Sequence, residues 1–180
     1  MTKYETLLII LLCLSFTLTG CQKPVPPPAS QSATATPALV EDKRVTSVGV
    51  VKVSPQPVEI TAGGSGEATV GLTIENGYHI NANPPAYSYL IATALAIPSA
   101  NGISSGSVTY PKALNRKFVF AEKPLAVYEG ETKIKAMLKA DKSATPGQHS
   151  LAAKLRIQAC DEQVCYPPGT LDLVIPVSIK

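Results

Sequence analysis

Cys160 and Cys165 are the residues of this chain whose type and spacing most readily do chemistry, with Asp161-Glu162-Gln163-Val164 between them. The sequence has 4 cysteines. Cys13 sits in an apolar N-terminal run and Cys21 just beyond it, so Cys160 and Cys165 are the only thiols of the rest of the chain. Such a pair can be a structural disulfide, a dithiol that trades electrons, or part of a metal site. As a staple it is poor, because closing so short a loop contributes roughly 2 kcal/mol, against about 4 or more for a long one. A zinc site needs more ligands, and His79 and His149 lie far away in sequence. Met137 is the only methionine beyond Met1, so a Met-rich copper site is not supplied either. Spacing alone leaves the redox and the structural readings open.

The N-terminus sets the compartment. Lys3 precedes the apolar run from Leu7 to Leu14, and Ser15 to Gly20 turns small and polar. That run is shorter than the roughly 20 residues a membrane span needs, so residues 1–20 read as a signal peptide. Leu18-Thr19-Gly20-Cys21 resembles the lipobox of bacterial lipoproteins. The resemblance implies cleavage before Cys21, lipid on its thiol and an anchor strengthened by about 0.8 kcal/mol per buried methylene. Residues 21–44 hold that cysteine and a Pro-, Ala-, Ser- and Thr-rich stretch with too little apolar surface to pack, a spacer between membrane and domain. Gln22 stands where an aspartate typically retains such lipoproteins in the inner membrane, which points to the outer membrane in a cell that has two. The expected location is extracytoplasmic, lipid-anchored and facing the periplasm, where disulfides persist. A formal charge of +3, with scattered cations and no Trp, gives no nucleic-acid surface.

Residues 45–180 are long enough for one domain with a core. Their hydrophobic pattern has period two, which predicts strands over 48–53, 58–61, 67–74, 89–97, 107–110, 125–128, 133–139, 150–159 and 171–179. Turn signals separate them at Gly63-Gly64, Asn76-Gly77, Asn101-Gly102, Glu129-Gly130 and Pro146-Gly147. No segment carries a capped helical stripe. The expected fold is all-β, an antiparallel β-sandwich.

If the alternation through Leu151, Ala153, Leu155, Ile157 and Ala159 continues, Cys160 lies on the outward face with Lys154, Arg156 and Gln158. Residues 161–164 then turn the chain and Cys165 begins the return. Pro167-Pro168 lacks two N–H donors, so pairing must break there. The pair is expected at an exposed, irregular sheet end, where an incoming thiolate can reach a sulfur.

The segment Gln158-Ala159-Cys160 through Val164-Cys165-Tyr166-Pro167-Pro168 resembles the active-site segment of the N-terminal domain of the thiol:disulfide interchange protein DsbD. Further landmarks follow in order: Gly77-Tyr78-His79-Ile80-Asn81-Ala82-Asn83-Pro84, Tyr110-Pro111 and Val127-Tyr128-Glu129-Gly130. The likeness covers roughly residues 48–180. It implies an immunoglobulin-like sandwich whose cysteine pair shuttles electrons without an organic cofactor or a metal. It implies that Cys165 forms the mixed disulfide and that Cys160 resolves it. It also implies an aromatic shield, for which Phe118 or Phe120 is available, with Tyr166 beside the pair. His79 is a candidate for tuning the Cys165 thiol. The implied partners are a thioredoxin-like or membrane electron donor and periplasmic oxidoreductases as acceptors. The chain ends at Lys180 without the family's membrane and thioredoxin-like domains, so its donor is expected to be a separate protein. The alternative is a non-catalytic β-sandwich interaction module clipped by a structural disulfide.

Overall fold

A computed structural model describes residues 45–180. The expected signal peptide (1–20), the lipidated Cys21 and the spacer of residues 21–44 lie outside the described residues. The first six strands are β1 (Val51–Pro55), β2 (Val58–Ile60), β3 (Ser65–Ile74), β4 (His79–Asn81), β5 (Ala94–Ala96) and β6 (Ile103–Thr109). The remaining six are β7 (Leu114–Arg116), β8 (Leu125–Tyr128), β9 (Glu131–Ala140), β10 (Gly147–Ile157), β11 (Ala159–Cys160) and β12 (Gly169–Ile179).

Alternation decides which side of each long strand is buried. Val70, Leu72 and Ile74 of β3 and Ile134, Ala136 and Leu138 of β9 point inward, while the residues between them face out. Their sheet runs β1-β3-β9-β6. Leu151, Ala153, Leu155 and Ile157 of β10 match Leu173, Ile175, Val177 and Ile179 of β12 in a second sheet, ordered β2-β12-β10-β5. The inner faces of both sheets share one apolar cluster, each fully buried aliphatic side chain contributing about 1.5–3 kcal/mol. All pairings are antiparallel except β2 with β12, which run parallel.

A third sheet, β11-β4-β8-β7, extends beyond the pattern read from sequence. Neither β4 nor β7 was expected. Strand β4 is buried at all three positions and β7 is exposed at all three, so neither alternates. The strand expected over 89–97 shrinks to Ala94–Ala96. The third sheet positions the cysteines. After Ile157 the chain leaves the second sheet at Gln158 and pairs again as β11 against β4. The return passes Pro167-Pro168 and re-enters the second sheet at Gly169, where a Cβ would lie 2.6 Å from Val48 Cγ1. Ser47 ties this crossing together. Its hydroxyl accepts the Ala159 N–H at 2.9 Å and donates to the Pro167 carbonyl at 2.7 Å.

Candidate functional site

Cys160 and Cys165 are joined by a disulfide across a hairpin, with Cα atoms 3.9 Å apart. The hairpin stands on its own hydrogen bonds. Asp161, first in the turn, accepts the Gln163 and Val164 N–H groups on Oδ1 at 2.7 and 2.8 Å, as short Asp side chains do in turns. The Asp161 N–H donates to the Val164 carbonyl, and the Tyr166 N–H to that of Ala159. The Tyr166 hydroxyl donates to Asp161 Oδ2 at 2.5 Å. That bond holds the Asp161 carboxyl below its ordinary value and pushes the Tyr166 hydroxyl up to about 12.

The two sulfurs have unlike surroundings. Cys160 is 0% exposed, whereas Cys165 is half-buried. Cys165 opens onto a hollow of about 360 Å³ lined by Leu90, Ala121, Leu125 and Gln158. Its rim carries apolar side chains left in solvent: Tyr89 is 72% exposed, Val164 51% and Phe120 40%. Gln158 braces the floor, accepting from Asn81 Nδ2 and the Ile91 N–H and donating to the Tyr166 carbonyl.

The expectation that Cys160 faces outward into solvent is corrected. Its alternation holds, but outward is not solvent here. Register places Cys160 opposite His79, and Asn81 opposite Val127, so these side chains share one face of the third sheet with Leu125. That face is covered by a second apolar cluster of Phe118, Ala121, Leu125 and Val127. The opposite face, with Ile80, Ala159 and Tyr128, joins the main core. Lys117 pins the covering loop by donating to the Ala121 and Glu122 carbonyls, and the Lys123 N–H donates to the Tyr87 hydroxyl.

Phe118 stacks on His79 with ring centroids 4.1 Å apart, and Phe120 stacks on Phe118 at 5.5 Å. The imidazole is 2% exposed. Burial lowers its pKa to about 4; the charges of Glu129 and Asp161 pull the other way, and Arg116 adds to the lowering. Its Nε2 has no hydrogen-bond partner among the described residues. Beside it runs a polar groove of about 770 Å³, where Arg116 and Glu129 form a bidentate ion pair. No group of three His, Cys, Asp or Glu side chains suited to a metal ion occurs among the described residues.

Residues 48–174 match the family model described as the N-terminal domain of the thiol:disulfide interchange protein DsbD. The chain belongs to this family. Its fold is the immunoglobulin-like sandwich of the DsbD N-terminal domain, and the family works in thiol–disulfide electron transfer outside the cytoplasm. Two solved structures are similar to this chain. The Neisseria meningitidis DsbD N-terminal domain in its reduced form is 18% identical, with a TM-score of 0.45, over 72% of this chain and 87% of that one. The N-terminal periplasmic domain of ScsB from Proteus mirabilis is 13% identical, with a TM-score of 0.50, over 71% of this chain and 46% of that one. The chain therefore spans less than half the length of the ScsB structure. No curated protein matches the sequence.

Within this DsbD N-terminal fold, the residues named from sequence fall into two groups. Phe120 lies with Cys165 at the hollow, while Phe118 lies over His79, and His79 pairs with Cys160. Tyr166 is tied to Asp161 and tilts against Tyr78 at 6.1 Å. Sequence reasoning missed Asp161, Gln158 and Asn81. Asp161 carried a usable signal, since an Asp opening a short turn caps its own backbone. The other two act through contacts 67 and 77 residues distant along the chain, and nothing local announces them.

Proposed function

We propose that this domain is a membrane-anchored extracytoplasmic thiol–disulfide exchange protein that passes electrons through Cys160–Cys165 to partner oxidoreductases. The observation that carries the reading is the asymmetry of the pair: one sulfur sealed, the other at an apolar hollow rimmed by exposed Tyr89, Val164 and Phe120. Exposed apolar groups gathered round a reactive atom suit a protein partner.

A donor thiolate attacks Cys165 Sγ, the Cys160–Cys165 bond breaks, and Cys160 leaves as a thiolate that takes up a proton. The donor's second thiol then attacks its own sulfur in the mixed disulfide. Cys165 is released, the donor becomes a disulfide, and the domain holds two electrons as a dithiol. In the forward half-cycle the Cys165 thiolate attacks an acceptor disulfide and Cys160 resolves the adduct. The pair itself carries the electrons, so the proposal includes no cofactor. Phe120 and Tyr166 flank Cys165 as its shield, and Phe118 covers His79, the partner of Cys160 across the sheet. A thioredoxin-like or membrane protein is the proposed donor, and periplasmic disulfide oxidoreductases are the acceptors. Lipid on Cys21, after cleavage of residues 1–20, is the proposed anchor, with residues 21–44 as its spacer and the outer membrane as its site in a cell with two.

The test is the reduction potential of the pair against glutathione buffers. A value of roughly −120 to −270 mV supports exchange, and one below about −300 mV marks a structural disulfide and an interaction module instead.

A further inference from the structure

The side chain across the sheet from Cys160 is a histidine with an idle nitrogen. Direct antiparallel partners hold their Cβ atoms about 4.5–5.5 Å apart on one face, and Cys160 and His79 are such a pair. Both are buried, and Phe118 stacks on the imidazole. While the disulfide is intact, Cys160 Sγ has no proton to offer, and His79 Nε2 has no partner among the described residues. Buried polar atoms ordinarily have one. Reduction changes one thing on this face: it puts a thiol where there was a disulfide sulfur.

We propose that His79 Nε2 accepts the proton of the Cys160 thiol, making His79 the base for the resolving step. The inference rests on the exchange reading. When Cys165 is in a mixed disulfide, the Cys160 S–H proton passes to His79. The Cys160 thiolate then attacks Cys165 Sγ, the Cys160–Cys165 bond forms, and the bond from Cys165 to the partner sulfur breaks. The partner leaves as a thiolate and the proton follows from the imidazolium to it or to solvent. In the reducing direction the same proton returns to Cys160 as it leaves.

The surroundings fit this role. Acceptance requires a neutral ring, and burial holds it neutral. The charged groups acting on the ring are Glu129 and Asp161, which favour the imidazolium, and Arg116, which opposes it. Burial penalises the imidazolium, and the adjacent thiolate offsets part of that penalty, so the proton moves to His79 only as the Cys160 thiolate forms and attacks.

The test uses the full-length chain with Cys13→Ser and Cys21→Ser, so that only the pair reports. The reduced protein is mixed in a stopped flow with one equivalent of Ellman's reagent. The first thionitrobenzoate released marks attack by Cys165, and the second marks resolution by Cys160. His79→Gln is expected to leave the first phase within about twofold. It is expected to slow the second about a hundredfold at pH 7, the low end of general-base effects, and to remove its acid limb. A second phase as fast in His79→Gln as in the parent overturns the proposal. If His79→Gln does not fold, the imidazole ¹⁵N spectrum of the otherwise intact protein decides: Nε2 must shift on reduction, and an unmoved resonance overturns the proposal. Cys165→Ser separates this failure from that of the parent reading. A first phase that survives Cys165→Ser unchanged refutes the exchange roles, whereas a first phase that is lost, with His79→Gln kinetically silent, refutes only the role of His79.

Discussion

Replacing His79 by Gln should flatten the acid side of the stability profile by an amount that follows from its burial. The unfolded chain carries this imidazole near its ordinary pKa of 6.5, and the folded domain lowers it to about 4. Between those values the unfolded state binds more protons, so stability rises with pH. The contribution is whole above about pH 6.5 and is lost as pH falls toward 4. At about 1.4 kcal/mol per tenfold change in proton affinity, the full loss is about 3 kcal/mol, of which about 2 is gone by pH 5. Asp161 has the opposite charge but the same slope. Its carboxyl is held low by Tyr166, so its share disappears only as pH drops below the ordinary carboxylate range. Urea unfolding of the oxidised protein at pH 7 and pH 5 is the assay. The parent should lose about 2 kcal/mol more across that window than His79→Gln. Parallel losses in the two proteins would refute the claim that this ring is buried in its neutral form.

Five further substitutions probe the site. Cys165→Ser should abolish electron transfer to a disulfide substrate while leaving the circular dichroism spectrum intact, and Cys160→Ser should accumulate a mixed disulfide through Cys165; transfer retained by Cys165→Ser would sink the assignment of roles. Phe118→Ala and Phe120→Ala should behave differently despite being neighbours. The first removes a side chain only 3% exposed and should cost about 3 kcal/mol in urea, whereas the second should change stability by less than about 1 kcal/mol and speed alkylation of reduced Cys165 several-fold. Similar effects from both would contradict the division between them. Ser47→Ala leaves the Ala159 N–H and the Pro167 carbonyl without their partner and should cost about 1–3 kcal/mol, read from the urea midpoint at unchanged slope.

The sandwich was legible because its long strands each bury one face. The run from Leu151 to Ile157 and that from Leu171 to Ile179 announce both the strands and their inward sides. The hairpin was legible too: four residues separate the cysteines and two prolines follow the second by two positions. What could not be read was the third sheet. His79-Ile80-Asn81 is too short to show a period, and with both faces covered it has none. The partnership of His79 with Cys160 spans 81 positions of chain and depends on a register that no local pattern specifies. The burial of Cys160 followed from the same gap. Polar alternation predicts a face, and only the tertiary arrangement says that Phe118 and its cluster cover the part of it that carries His79, Leu125 and Val127.

The hairpin's own hydrogen bonds bear on the direction of traffic. Asp161 caps the turn, Tyr166 ties back to Asp161 and Ala159, and Ser47 grips both arms. None of these contacts uses the sulfur–sulfur bond, so the turn that presents Cys165 keeps its hydrogen bonds when that bond opens. Under the proposed function, a partner that reads only this turn binds the oxidised and the reduced domain equally. A ligand with equal affinity for two states cannot shift the balance between them. Under the proposed function, such docking speeds the exchange without biasing it, and the relative potentials of donor, domain and acceptor decide which way the electrons run.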